Sequence, residues 1–309
     1  MKKIVRFICS LGLICIIIGL IFYNTDIFKE TVQKIKILTG NVEVKLESKN
    51  KYYRDYDFDY VQNTNDFSPN CYQDILNIYY TIINSGENNF KFYCPKDYST
   101  CIEDVKTLAN DQNILSDVNN FAHPYNSFQH IETTYDNYGS VTIKIERSYN
   151  EEEIKAIDEK IDEIMTNVLK EENTVEQNIR LAHDYIIDNS RYDSKKSDEN
   201  ASDYKSDIAY GPLIQGYGIC GGYTDAMGLI LERLKVKNFK ISSDNHIWNA
   251  VLVNDKWLHL DLTWDDPVVS DGSQMIDHDF YLIDTKSLLE KENTEHDFNQ
   301  NVYTELKQN

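Results

Sequence analysis

Basic residues are in short supply. The 309-residue chain sets 31 Lys and Arg against 51 Asp and Glu, a formal net charge of −20 at pH 7, and so acidic a chain repels phosphate backbones rather than recruiting them. Nucleic acid is therefore excluded as a natural partner. Glycine is sparse as well, with 12 residues and one dense stretch at 211–222, and no segment repeats at a period of about 20 to 50 residues, so collagen-like arrays and solenoids drop out. Metal-ligand spacing is also missing. Asp265, Asp266, Asp271, Asp277 and Asp279 are rich in oxygen ligands but lack the ordered spacing of a calcium loop. His259 and His278 lie near aspartates but belong to no short-spaced pair of zinc ligands. No metal and no cofactor are expected.

A 41% hydrophobic share is enough for packed cores, while a mean hydropathy of −0.52 indicates a polar surface and polar loops. The length allows two modest domains at roughly 150 residues each. One long apolar run, Phe7 to Tyr23, follows Lys2, Lys3 and Arg6, which fits either a secretory signal or a short membrane span. Small residues at the −3 and −1 positions of a cleavage site are absent around Phe22–Thr25, and neither Cys9 nor Cys15 has the small-residue setting of a lipidated cysteine. The expectation is an uncleaved anchor over residues 1–23 with its N-terminus in the cytoplasm and the body extracytoplasmic. Secretion after signal cleavage is the alternative. Outside the membrane disulfides persist, and of Cys71, Cys94 and Cys101 the expected pair is Cys94 with Cys101 across a Pro-containing loop.

Residues 24–147 read as a small α+β region: a polar tether to about residue 70, apolar runs suited to helices between Tyr72 and Leu115, and an alternating strand at Val141–Ile145. Residues 148–309 form the second unit. Ser148-Tyr149-Asn150-Glu151 resembles a capping box opening a helix with Ile154, Ile157, Ile161, Ile164 and Val168 on one face, and Thr174-Val175-Glu176-Gln177 repeats the device. Ser190 to Ser206 is almost wholly polar and reads as a surface loop.

The chemistry gathers beyond residue 207. Cys220 stands where the glycine-rich turn enters a helix whose face is Ala226, Met227, Ile230, Leu231 and Leu234. Free N–H groups and the positive dipole end favour a thiolate there, and Gly221-Gly222 are expected to leave room for a substrate. An isolated cysteine is more often a small buried hydrophobe, but a downstream hairpin alters that reading. His246–Val253 and Trp257–Thr263 alternate around Asn254-Asp255, so pairing Val253 with Lys256 sets Trp248 opposite Asp261 and His246 one diagonal step away. Ile247, Val251, Val253, Leu258, Leu260 and Leu262 take the core face, leaving Trp248, Trp257, His259 and Asp261 on what reads as a wet aromatic face. Nucleophile, base and orienter are then Cys220, His246 and Asp261. The Cys220 amide would serve an oxyanion with a second donor from Gln215, Tyr217 or Tyr210, and Gln215, Tyr217, Trp248 and Trp257 are candidates for the substrate cleft.

Tyr210-Gly211, Gly218-Ile219-Cys220-Gly221-Gly222-Tyr223, His246-Ile247-Trp248-Asn249 and Trp257-Leu258-His259-Leu260-Asp261-Leu262-Thr263-Trp264-Asp265-Asp266-Pro267, with His183-Asp184-Tyr185 and Tyr192-Asp193 upstream, together resemble the bacterial transglutaminase-like superfamily over roughly residues 175–300. The resemblance implies a papain-like α+β core, in which a helix bearing the cysteine packs on an antiparallel sheet bearing His and Asp. It implies a nucleophile at Cys220, a base at His246 and an orienting Asp261. The superfamily includes transglutaminases, peptidases, amidases and members without catalysis. The expected function is therefore an extracytoplasmic thiol acyltransferase acting on glutamine or peptide amides of envelope or secreted proteins. A cysteine peptidase or amidase, or an inactive surface-binding module, is the alternative.

Overall fold

The computed structural model describes residues 44–136, 138–267 and 275–308, together with Gly19. The expected anchor or signal, 1–23, lies outside the described residues apart from Gly19, as does Asp271. Among the described residues no helix is long and apolar enough to cross a membrane.

From residue 44 on, the described chain forms α1 (Tyr72–Ser85), β1 (Asn89–Tyr93), α2 (Cys101–Asn110), α3 (Gln112–Asn120), β2 (Phe128–Tyr135) and β3 (Ser140–Arg147). β3 lies between β1 and β2 in an antiparallel sheet. Cys94 and Cys101 are joined by a disulfide that ties the end of β1 to the start of α2. Next come α4 (Glu151–Asn167), α5 (Val175–Asp188), β4 (Arg191–Tyr192), α6 (Ser194–Glu199), a π-turn at Gly211–Gln215, β5 (Tyr217–Gly218) and α7 (Cys220–Arg233). A meander of β6 (Asn238–Ser242), β7 (Ile247–Val253) and β8 (Lys256–Leu260) follows, then α8 (Thr285–Leu289) and short 3-10 turns at Thr294–His296 and Thr304–Gln308.

Local chemistry sets these boundaries. The capping box of α4 falls two residues later than the sequence suggests: Asn150, not Ser148, is the cap, its side chain accepting from the Glu153 amide while Glu153 reaches back to the Asn150 amide. Ser148 instead donates its amide to the Ser127 carbonyl. At α5 the Thr174–Gln177 box forms as expected. Asn254 and Asp255 both adopt positive φ, 51° and 62°, which suits a tight hairpin turn, and Val253 pairs with Lys256.

The β6–β7–β8 sheet is covered on both faces. Val251, Val253, Leu260 and Leu262 join a core with Ile157, Ile161, Ile179, Ala226, Met227 and Ile230. Phe239, Ile241, Trp248 and Ala250 join a second core with Ile75, Leu115, Val118, Phe121, Tyr303 and Leu306. That second core draws on residues from both sides of position 147. The expected wet face is thus a packed one, and Trp248 is only 1% exposed.

Candidate active site

Cys220 is the first residue of α7, behind an extended Ile219 that supplies no side-chain cap. It is a free, half-buried cysteine. Three contacts fix its helix. Ile219 donates its amide to the Ser206 carbonyl at 2.9 Å, Tyr223 donates its hydroxyl to Asp266 at 2.6 Å, and Thr224 donates its hydroxyl to the Ile247 carbonyl at 2.9 Å. The last joins the first turn of α7 to the residue after His246. Gly221 and Gly222 serve this docking rather than a substrate: a Cβ on Gly221 would lie 2.8 Å from the Asp207 carbonyl, and one on Gly222 would strike the Ser206 carbonyl. The Ser190–Ser206 stretch is accordingly no free surface loop. Asp193 and Ser206 are buried, Ser202 and Ser206 donate to Asp193, and β4 pairs in parallel with β5.

His246 enters from the other side. It precedes β7 in a tight turn where its amide donates to Ser243 Oγ at 3.2 Å and its carbonyl accepts from the Ser243 amide at 2.9 Å. Its Nε2 meets Asp261 Oδ2 at 2.6 Å, and its ring stacks on Trp248 with centroids 5.5 Å apart. Cys220 lies near enough to the same ring to help raise its pKa, and with Nε2 engaged by Asp261 the ring nitrogen left to serve a thiol is Nδ1. Burial alone would lower the His246 pKa, but the charge and hydrogen bond of Asp261, with Cys220 adding to them, raise it to about 10.

Asp261 follows β8. Its Oδ1 accepts from the amides of Thr263 and Trp264 at 2.9 and 3.2 Å, and its Oδ2 accepts from His246 and from His296 Nε2, the latter at 2.8 Å. Burial would push this carboxyl up, yet His246, by charge and hydrogen bond, and His296 hold it well below the usual carboxylate range. An ionised carboxylate only accepts, so both imidazoles present Nε2–H to it.

The structure thus brings Cys220, His246 and Asp261 together. Trp248 is a buried wall behind His246, correcting the expectation of an exposed cleft residue: its Nε1 donates to His259 Nδ1 at 3.0 Å, and His259 Nε2 meets Thr285 Oγ1 at 3.1 Å. Burial, with His296 beside it, lowers the His259 pKa to about 3, which suits a neutral link in this chain. Trp257 packs on Phe239 at 4.8 Å within the second core. Gln215 accepts the Lys205 amide at 2.7 Å, and Tyr217 stacks on Tyr204 at 4.0 Å.

The sequence reading gives two residues at the site no role there, although Tyr192 belongs to the motif that carries the resemblance. Tyr192 is close enough for the charge of Cys220 to raise its hydroxyl pKa, after burial as the larger cause. His296, 1% exposed, reaches Asp261 from a 3-10 turn 35 residues downstream. Asn293, which caps that turn, is the one local signal; nothing in the spacing links His296 to the hairpin. Among the described residues two groups carry metal-ligating atoms within 4.8 Å of one another, His246–Asp261–His296 and His183–Asp184–His278. In both, the donors already bond among themselves: His183 and His278 each meet Asp184 Oδ1 at 2.8 Å.

No protein-family model and no curated protein matches the sequence. Solved structures to which the chain is similar include two of related description. One, a TGase (transglutaminase), aligns over 44% of each chain at 12% identity and a TM-score of 0.34. The other, a candidate cysteine protease from Cytophaga hutchinsonii, aligns over 48% of this chain and 65% of its own at 14% identity and a TM-score of 0.28. The match spans less than two thirds of either structure, so the functional reading rests on the site itself.

Proposed function

We propose that the chain is an extracytoplasmic thiol acyltransferase of the transglutaminase-like type, acting on protein or peptide substrates at the cell envelope. The observation that carries this reading is the 2.6 Å contact of His246 Nε2 with Asp261, with Cys220 near enough to the same imidazole to help raise its pKa. His246 takes the thiol proton through Nδ1 and the sulfur attacks a glutamine or peptide carboxamide carbon. The tetrahedral oxyanion meets the Cys220 amide at the start of α7. On collapse His246 returns the proton to the leaving nitrogen, ammonia departs from a glutamine donor, and a thioester remains on Cys220. A primary amine, deprotonated by His246, resolves it to a new amide. Asp261 orients the ring and offsets the imidazolium charge throughout.

The placement outside the cytoplasm is supported by the basic start before the apolar run at 7–23 and by the Cys94–Cys101 disulfide, a bond that persists in oxidising compartments. The test combines the purified chain with a glutamine-containing peptide and a labelled primary amine. Amine incorporation with ammonia release, lost in Cys220→Ala, is the expected result. Peptide cleavage or deamidation without incorporation would assign water as the acceptor. Incorporation that survives Cys220→Ala would overturn the reading.

A further inference from the structure

We propose that His296 is a positioning residue of the reactive centre, fixing the Asp261 carboxylate so that Asp261 holds His246 in the tautomer and orientation that face Cys220. The inference rests on the cysteine–histidine–aspartate reading above and adds to it a fourth side chain, supplied by a separate stretch of chain.

Three observations converge on it. His296 Nε2 lies 2.8 Å from Asp261 Oδ2, the same oxygen that meets His246. The loop amides of Thr263 and Trp264 hold only Oδ1, so among the described residues His296 is the one group besides His246 that pins the working oxygen. Next, the His296 ring is wedged between aromatics, stacked on Phe280 at 4.9 Å and edge-on to Trp248 at 4.9 Å. Its turn is tied to the loop of His246 as well: Ser243 Oγ donates to the Glu295 carbonyl at 2.6 Å while accepting the His246 amide. Finally, His296 Nδ1 is buried with no hydrogen-bond partner among the described residues. A second ring proton there would be a buried donor without an acceptor, which is costly. The Nε2–H tautomer is the one the pocket fits, and it makes His296 a fixed donor to Asp261.

The groups that face this assembly are Cys220 from α7, Tyr192 from β4, His259 from β8, Asp265 beyond β8, and Glu295 in the same turn as His296. None of them adds a third side-chain donor to Asp261 Oδ2, which accepts from His246 and His296.

The test measures the alkylation rate of Cys220 by iodoacetamide across about pH 5 to 10, by peptide mass spectrometry on the full chain. An ordinary thiol, with a pKa of about 8.5, is nearly unreactive at pH 6. His296→Gln keeps an N–H near the Nε2 position; His296→Met has similar length and no donor. His296→Met is expected to lose about tenfold or more of the wild-type rate near pH 6 and to move its profile toward an ordinary thiol, whereas His296→Gln stays within about threefold. Folded His296→Met and His296→Gln with the same profile as wild type would overturn the proposal. A wild-type profile already that of an ordinary thiol and unchanged by His246→Gln would remove the underlying reading, and this proposal with it. Ring nitrogen-15 spectra of the wild-type chain test the same point without a variant: a proton on His296 Nε2 alone is expected, and one on Nδ1 contradicts the proposal.

Discussion

Asp261 accepts four hydrogen bonds on two oxygens while buried at 2% side-chain exposure. That saturation explains how a carboxylate stays ionised out of water, and an ionised Asp261 in turn favours the charged form of His246. The His246 pKa, raised from 6.5 to about 10, has a consequence for stability. A folded value above the unfolded one means that the contribution of this pair is fully present below about pH 6.5 and is lost as the pH rises through about 10. Denaturant unfolding should therefore show the gap between wild type and His246→Gln shrinking from pH 6 to pH 10. A gap that widens over that range would contradict the assignment.

Among the elements, α7 and the β7–β8 hairpin do most to place the site. The hairpin was legible in the sequence because alternation and the Asn254–Asp255 turn leave one register, and that register sends His246 and Asp261 the same way. The helix start at Cys220 was legible for a similar reason, a glycine-rich turn followed by an apolar stripe. What covers a face is not written in the face itself. Trp248 reads as exposed until His296 and Phe298 close over it, with Phe280 stacked on His296, and those residues arrive from a segment with no periodicity. Gly221 and Gly222 were misread likewise, since the partner that requires them is the distant carbonyl pair of Ser206 and Asp207. Adding a methyl at Gly222 forces either the 206–208 backbone or the first turn of α7 to move. Gly222→Ala is expected to cost about 1–3 kcal/mol in denaturant unfolding and to slow Cys220 alkylation near pH 6. A variant with wild-type stability and rate would show that the close approach of this loop is unimportant.

At the scale of the whole molecule, the proposed nucleophile and its proposed base belong to opposite layers. Cys220 rides on a helix packed among α4 and α5, while His246 and Asp261 end strands whose other face is closed by the N-terminal helices and the chain end. Lys240 spans the seam: from β6 it donates to Ser127 and to Asp225 on α7, at 3.0 Å each. Residues 44–147, for which the sequence offers no motif, thus help to close the sheet that His246 and Asp261 flank. The central claim is that this architecture makes one reactive unit of sulfur, imidazole and carboxylate, and the most direct measurement compares the rate of Cys220 alkylation near pH 6 in wild type and in folded His246→Gln. The account predicts that the variant reacts at least about tenfold more slowly, at the pace of an ordinary thiol; equal rates in the two proteins would contradict it.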